Sequence, residues 1–438
     1  MVAEFGYLTE LSWLSLLLLL GVVIEFVSRK IRFPDILLLL VIGAVVGQIT
    51  AMEFNQGFLA SLGTFALVMI LFESTSKFKP REISQLSPYA IKLSVVFLLV
   101  NLFALTIFTH LFFRGGFAWK DVALSMLFAA IMSGTSPSAV LSILSEKSSK
   151  LIELIEFESI LNTPFTVIIP LVILKLYLGV LQTADVIAFS FLQEIMTGVG
   201  TGFVIGLIAF RAMRTVYVEK LSPLVIIAIA LVTYTLATHL NGSGVLAVTA
   251  LGIVFGVTSV REKESLQQFV SIFTSFLKIA VFILLGLLIK IPLEKSFLIK
   301  SIILFLIYLF IRFAAVGFTF KTSDLDFREK LFLSLNVSKG VAVAVVAFVV
   351  AASITTPYIK ILLDLIFLFI FYSIIVSSFA AKFHGFFLKR PTSLSELKGE
   401  QKKKQKTKPE YKEISVKKKE KERSVKKKEK KRLNFLLR

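Results

Sequence analysis

The feature of this sequence that most constrains its fold is a long series of apolar runs. Runs of roughly 17 to 30 residues recur from Leu11 to about Leu388, and each is long enough to cross a ~30 Å hydrocarbon layer as a helix. There are about thirteen of them. Their approximate bounds are 10–28, 34–50, 57–72, 89–113, 121–145, 151–181, 185–210, 221–240, 243–258, 266–290, 297–320, 329–353 and 359–388. A hydrophobic content of 56% agrees with this pattern, which predicts an all-α polytopic membrane protein.

The net charge of +20 lies mostly at the C-terminal end of the chain. Residues 389–438 hold 21 Lys and Arg against seven Glu, in a low-complexity segment that is typical of a solvated, largely disordered tail. We therefore divide the chain into a transmembrane domain at 1–388 and a basic cytoplasmic tail at 389–438. The tail either contacts anionic lipids or has no specific partner. No nucleic-acid partner is expected.

Basic residues in the loops predict the orientation of the chain. If the tail lies inside the cell, the loops on that side carry about 16 Lys and Arg, against about 5 on the other side. Thirteen spans place the two chain ends in opposite compartments. The sequence thus predicts a multi-pass protein of the cell membrane, with its N-terminus outside and its C-terminus in the cytoplasm.

A polar cluster interrupts the sixth apolar run. Helical spacing places Glu158 and Asn162 on one stripe, with Ser159 and Thr163 on the adjoining stripe. An acidic residue at membrane depth costs about 2.5–3.5 kcal/mol, which is tolerated chiefly where it faces protein or a water-filled cavity. These four side chains are therefore candidates for a transport site.

Two other runs contain signals that break a helix. The fifth includes Thr135-Ser136-Pro137, where proline removes a backbone donor, and the twelfth includes Leu335–Gly340 with an intramembrane lysine, Lys339. Transporters built from inverted repeats place such discontinuous helices at corresponding positions in each half, with the substrate site between them. The pattern predicts two broken helices that line a site near the bilayer midplane.

These motifs give the chain a clear family resemblance. It resembles the monovalent cation/proton antiporter superfamily, nearest to its sodium/proton exchanger branch, over roughly residues 10–388. The motifs that carry the resemblance are Leu71-Phe72-Glu73, Thr135-Ser136-Pro137, Glu158-Ser159-Ile160-Leu161-Asn162-Thr163, Gly242–Ala247 and Lys339-Gly340. It implies an inverted-repeat antiporter fold with two broken crossing helices, a homodimer, and alternating access. The implied function is antiport of protons against a monovalent cation, sodium first, with no cofactor and no metal beyond the transported cation.

The chain departs from the family pattern at three positions. Thr163 and Ser136 stand where the family has aspartates, and Lys339 stands where it has an arginine. The aspartate missing at 163 is the family residue that binds the cation and the competing proton. Threonine cannot titrate, so the proton must pass to another group.

The candidate residues follow from the resemblance and from the charged groups within the spans. Ion or proton binding is implied at Glu73, Thr135, Ser136, Glu158, Ser159, Asn162 and Thr163, with Lys339 as the broken-helix charge and Glu156 and Lys278 as further candidates. Because a buried lysine, unlike arginine, can release its proton, Lys339 is one possible proton carrier. Structural alternatives remain open: a loop-proximal carboxylate for Glu73, a cavity-mouth residue for Glu156, an ion pair with Lys339 for Glu158, snorkelling for Lys278, and a structural counter-charge near the membrane boundary for Arg312.

Two other functions stay open at this point. The first is a carrier with altered coupling on the same fold, such as a uniporter or a potassium or anion transporter. The second is a non-transporting membrane protein with a regulatory tail. An enzyme is not expected, because the sequence shows neither a nucleophile with a base at a recognisable spacing nor a phosphate-binding loop.

Overall fold

The fold is seen in a computed structural model that describes most of the chain up to residue 387. The described residues are 6–31, 33, 35–50, 56–77, 80–114, 118–144, 150–179, 184–214, 221–288, 294–321, 323, 325–354 and 356–387. The predicted basic tail at 389–438 lies outside them, and so do residues 1–5.

All regular elements in this part of the chain are helices. They are α1 (Gly6–Ile31), α2 (Asp35–Thr50), α3 (Gln56–Ser76), α4 (Pro80–Phe113), α5 (Trp119–Ile131), α6 (Ser138–Leu144), α7 (Lys150–Tyr177), α8 (Ala184–Ala212), α9 (Ser222–His239), α10 (Gly244–Val257), α11 (Lys263–Leu288), α12 (Lys295–Thr319), α13 (Phe327–Leu335), α14 (Val341–Ser353), α15 (Pro357–Lys382) and α16 (His384–Phe387).

The helices account for the predicted spans. Eight of those described are long and apolar enough to cross a membrane, namely α3, α4, α7, α8, α9, α11, α12 and α15. Shorter apolar segments lie in α1, α2 and α10. The pairs α5–α6 and α13–α14 each fall within one predicted run, so that each pair counts as one interrupted span. The total of thirteen confirms the all-α polytopic fold predicted from the sequence.

Close helix packing depends on glycine where two backbones meet. α2 packs along α11, and a Cβ atom added to Gly286 of α11 would lie 2.5 Å from the Leu40 carbonyl oxygen and 2.9 Å from the Gly43 Cα. Small residues allow such approaches between membrane helices, where van der Waals contact replaces the hydrophobic effect as the main attraction. α4 packs on α5, α7 and α12, and α5, which ends at the first interruption, also packs on α7.

Both predicted breaks are present in the structure. α5 ends at Ile131 and α6 begins at Ser138, while α13 ends at Leu335 and α14 begins at Val341. The intervening backbone is buried on all but its Ser136, Pro137 and Gly340 positions, which are partly exposed. Irregular backbone at membrane depth needs such cover, because lipid offers it no hydrogen-bond partners.

Candidate functional site

The two interruptions contact each other through a reciprocal pair of hydrogen bonds. The backbone N–H of Ser136 donates to the carbonyl oxygen of Ser338 at 2.7 Å, and the hydroxyl of Ser338 donates back to the carbonyl oxygen of Ser136 at 2.5 Å. Each break thus supplies hydrogen-bond partners for backbone groups of the other break. The predicted crossing of two broken helices is therefore observed in atomic detail.

The second break is also supported by α15. Ser377 on α15 accepts a hydrogen bond from the Val337 N–H at 2.9 Å and donates one to the carbonyl oxygen of Leu335 at 3.1 Å. The Val337 N–H also donates to the Leu335 carbonyl oxygen at 3.1 Å, so the Ser377 hydroxyl adds a second partner to each of these groups and helps to hold the extended segment.

α7 lines the first break with the polar cluster found in the sequence. The Asn162 amide donates to the carbonyl oxygen of Ser133 at 2.8 Å and lies 3.4 Å from the Thr135 hydroxyl. The Ser159 hydroxyl donates to the carbonyl oxygen of Thr135 at 2.9 Å. Four of the predicted site residues therefore lie together at the crossing, namely Thr135, Ser136, Ser159 and Asn162.

Thr163 turns inward to its own helix. Its hydroxyl donates to the carbonyl oxygen of Ser159 at 2.6 Å, one turn back. The next residue, Pro164, has no N–H to give to the carbonyl oxygen of Ile160. The backbone around Thr163 therefore offers oxygen acceptors, and the Thr163 hydroxyl oxygen keeps its lone pairs for another ligand.

Two buried asparagines have side-chain oxygen atoms that accept no hydrogen bond from the described part of the chain. The Asn162 Oδ1 atom accepts no hydrogen bond from the described residues, and neither polar atom of the Asn336 amide is paired with them. Both side chains are at most 2% exposed. Buried polar groups are rarely left in this state, so these oxygens are ready acceptors for a ligand at the crossing.

Lys339 is fully buried and spans the crossing. Its Nζ donates to the carbonyl oxygens of Met132 and Gly134 at 2.6 and 2.7 Å and lies 2.5 Å from the hydroxyl of Tyr308. A lysine ammonium has three N–H donors, and each of them has an oxygen partner here. All three partners are formally neutral.

Glu158 pairs with Arg312 rather than with Lys339. The two guanidinium nitrogens of Arg312 donate to the two carboxylate oxygens of Glu158, each at 2.6 Å, and both side chains are at most 2% exposed. The Phe97 ring lies 4.6 Å from the guanidinium carbon. The alternative that paired Glu158 with Lys339 is therefore wrong. Arg312 is indeed a counter-charge, but one buried deep inside the protein.

Two of the remaining charged candidates are paired elsewhere. Glu73 forms an ion pair at 2.7 Å with Lys77 at the end of α3, and Lys278 of α11 pairs with Asp35 of α2. Glu156 is half-buried on α7. Neither Glu73 nor Lys278 has a hydrogen bond to the crossing within the described part of the chain, and Lys278 is held by a carboxylate rather than snorkelling alone.

Sequence reasoning overlooked three residues that the structure makes prominent. Tyr308 carries no charge, and its role appears only through its contact with Lys339. Asn336 lies within the second predicted break, but only the structure shows that its buried amide is unpaired with the described residues. Asp364 carried a clear signal, since it is an acidic residue within the last apolar run. It is half-buried on α15 and has neither a hydrogen bond nor an ion pair with the described residues.

Comparison with known proteins agrees with this geometry. A family model described as "Sodium/hydrogen exchanger, transmembrane" matches residues 14–385. The chain belongs to the sodium/hydrogen exchanger family. Its members are secondary antiporters rather than enzymes, and this confirms the resemblance drawn from the motifs. Together with the apolar helices, membership establishes a multi-pass membrane protein.

Curated relatives and a solved structure support the same assignment. "Probable Na(+)/H(+) antiporter 2" of Methanocaldococcus jannaschii is 26% identical over 369 residues, covering 78% of this chain and 85% of the relative. "K(+)/H(+) antiporter NhaP" of Alkalimonas amylolytica is 25% identical over 288 residues, covering 63% of this chain and 49% of the relative. The structure of the sodium proton antiporter MjNhaP1 from Methanocaldococcus jannaschii at pH 8 matches the fold with a TM-score of 0.73 at 20% identity, covering 86% of this chain and 98% of that one.

Proposed function

We propose that this protein exchanges protons for a monovalent cation, sodium first, by alternating access across the cell membrane. The observation that carries the proposal is the set of buried, unpaired oxygen atoms at the crossing of the two broken helices, on Asn162 and Asn336. Hard cations are bound best by oxygen ligands, which fixed carbonyl and hydroxyl groups can supply in place of water. The family assignment and the names of the relatives support the same activity.

The ion-binding residues we assign are those that meet at the crossing. They are Thr135, Ser136, Ser159, Asn162 and Thr163, through hydroxyl, amide and backbone oxygens. Glu158 positions α7 against α12 through Arg312 and does not contact the ion in this assignment. Glu73 and Glu156 are assigned to the approach to the site, and Lys278 to the α2–α11 contact.

An anion carrier on the same fold is less consistent with the structure. An anion is bound best by a positive charge that is free to meet it, but all three N–H groups of Lys339 donate to Met132, Gly134 and Tyr308. The buried donors that remain unpaired with the described residues are the neutral Asn336 amide nitrogen and the Arg312 Nε atom. The guanidinium of Arg312 is held by Glu158. Free acceptors at the crossing favour a cation.

The arrangement in the membrane is part of the proposal. The bias of Lys and Arg toward one set of loops supports an N-terminus outside and a C-terminus in the cytoplasm. The family resemblance favours a homodimer. The basic tail at 389–438, with its excess of lysine, is suited to contact anionic lipid headgroups.

Transport by purified protein in proteoliposomes tests this function. We expect sodium, and to a lesser degree lithium or potassium, to dissipate an imposed pH gradient that a dye inside the vesicles reports. Protein-free vesicles give the background. Proton movement that is the same with and without each of the three cations would refute antiport, and labelled-ion counterflow would then reveal a uniporter.

A pair of asparagine variants tests the assigned site. Asn162→Ala removes a free oxygen at the crossing, and we expect the cation concentration for half-maximal exchange to rise about tenfold or more, which corresponds to ~1.4 kcal/mol of binding. Asn101→Ala is the matched control, because Asn101 is also buried, also donates to a backbone carbonyl, that of Ala129, and also has an Oδ1 atom unpaired with the described residues, but lies on α4 outside the two breaks. Equal effects of the two substitutions on this concentration would contradict the assignment.

A further inference from the structure

The protein needs a group that gives up its proton when the cation binds, and position 163 cannot provide it. Thr163 has a hydroxyl that does not titrate in the physiological range, and it is donated to Ser159. Single-site antiport requires that the two substrates exclude each other. The following steps rest on the antiport function proposed above and ask which residue carries the proton.

Glu158 is unsuited to carrying the proton because its carboxylate is held in an ion pair. Both of its oxygens accept from Arg312, and the pair is buried. Adding a proton to Glu158 would leave the guanidinium of Arg312 charged, buried and without its counter-ion, which proteins avoid. The pair is built to stay ionised throughout the cycle.

Lys339 has the opposite character. Within the described residues it has no hydrogen bond to a carboxylate, and its three acceptors are two carbonyl oxygens and the Tyr308 hydroxyl. Among the described residues, the charges that act on it are those of Arg312 on α12 and Glu158 on α7, which neutralise each other, while α15 presents the neutral Ser377 to the same break. Loss of the lysine proton therefore breaks no ion pair.

The hydrogen bonds of Lys339 can also survive that loss. A neutral amine keeps two N–H donors, which suffice for the carbonyl oxygens of Met132 and Gly134, and gains a lone pair. The Tyr308 hydroxyl accepts from the ammonium and can rotate to donate to that lone pair. Because a hydroxyl plays either part, the three contacts of Lys339 are satisfied in both protonation states.

The cation and the lysine charge share one short stretch of backbone. Lys339 binds the carbonyl oxygens of Met132 and Gly134, and Asn162 binds the carbonyl between them, that of Ser133. A cation held by the oxygens of Asn162 and Thr135 would therefore lie close to the ammonium, in a buried site where like charges repel strongly. Cation binding and protonation of Lys339 exclude each other.

We propose that Lys339, hydrogen-bonded to Tyr308, carries the exchanged proton in this protein. The ammonium releases one proton to water on the side to which the site is open and becomes a neutral amine, and one monovalent cation then enters. On the other side the cation leaves and the amine takes up a proton. The site carries the same net charge in its two loaded states, so one proton moves for each cation.

A charge-preserving variant tests this inference. Lys339→Arg keeps the positive charge and cannot release it. We expect this variant to lose sodium-driven proton exchange in proteoliposomes down to the level of protein-free vesicles. Lys278→Arg is the matched control, because Lys278 pairs with Asp35 away from the crossing, and it should exchange at the wild-type rate.

Two further variants test the inference in other ways. The first separates loss of the proton carrier from misfolding, and the second tests the pH dependence of exchange. Thr163→Asp in the Lys339→Arg background supplies a carboxylate that can carry the proton, and we expect exchange to return. Tyr308→Phe removes a charge-assisted hydrogen bond to the ammonium, so its exchange should continue with an optimum at least about half a pH unit below that of the wild type.

The outcomes divide clearly. Wild-type rates in Lys339→Arg would overturn the inference and leave antiport intact. Failure of the double variant to exchange, or a Tyr308→Phe profile that superimposes on the wild type, would also count against Lys339. Absence of exchange in the wild type with sodium, lithium and potassium would instead refute the proposed function itself.

Discussion

Glu158 and Arg312 place two full charges at the centre of an apolar bundle. Removing one member of such a pair costs about 3–5 kcal/mol, because the other stays buried without a partner. We therefore expect Glu158→Gln to unfold in detergent at a clearly lower temperature than the wild type, as measured by intrinsic fluorescence. The size-exclusion profile at low temperature shows whether the variant folds at all.

Asp364 provides the matched control at the same scale. It is also an acidic residue within an apolar helix, yet it has no hydrogen bond or ion pair in the described part of the chain. Asp364→Asn therefore breaks no contact and should unfold no earlier than the wild type. A loss of stability equal to that of Glu158→Gln would show that the ion pair with Arg312 is not what stabilises α7.

Individual site residues can be predicted from the sequence, but their partners cannot. Glu158 and Asn162 were found because polar groups at helical spacing are conspicuous in an apolar run. The partner of Glu158 lies 154 residues away, on another helix, and neither spacing nor composition indicates which of two basic residues it meets. The sequence pointed to Lys339, but the fold places Arg312 there.

At the scale of helices, glycine determines how closely α2 and α11 approach. Gly286→Ala places a methyl group 2.5 Å from the carbonyl oxygen of Leu40, on a backbone that cannot move aside easily. We expect this overpacking to cost about 1–3 kcal/mol. Thermal unfolding of the purified variant in detergent measures it.

A second glycine separates packing from helix propensity. An added Cβ atom at Gly317 of α12 meets nothing within 4 Å, so Gly317→Ala should stabilise the helix by about 0.5–1 kcal/mol. If both alanine variants shifted the unfolding temperature in the same direction, close α2–α11 packing would not be the reason for glycine at 286.

Helices as units were largely predictable, and their contacts were not. The run at 121–145 was recognised as broken because Gly134 and Pro137 disfavour a continuous helix, and the structure ends α5 and begins α6 on either side of them. The mutual hydrogen bonds of Ser136 and Ser338 join segments 202 residues apart. Only folding of the whole chain brings those segments together.

For the whole molecule, counting apolar runs was sufficient to give thirteen spans, because the membrane requires each to be long and hydrophobic. The same count, combined with the charges of the loops, predicts which loops lie on each side of the membrane. The tail, the dimer and the direction of insertion remain predictions that rest on composition and resemblance. Of these, the direction of insertion has the most direct test.

The chain contains no cysteine, so single cysteines can be added without removing any others. Arg261 and Lys295 are both exposed and flank α11, whose 26 residues span about 39 Å. In whole cells we expect a membrane-impermeant maleimide to label Lys295→Cys at once, and Arg261→Cys only after permeabilisation. The reverse pattern would place the N-terminus in the cytoplasm. Labelling of both without permeabilisation would mean that α11 does not cross the membrane, which is incompatible with the thirteen-span arrangement.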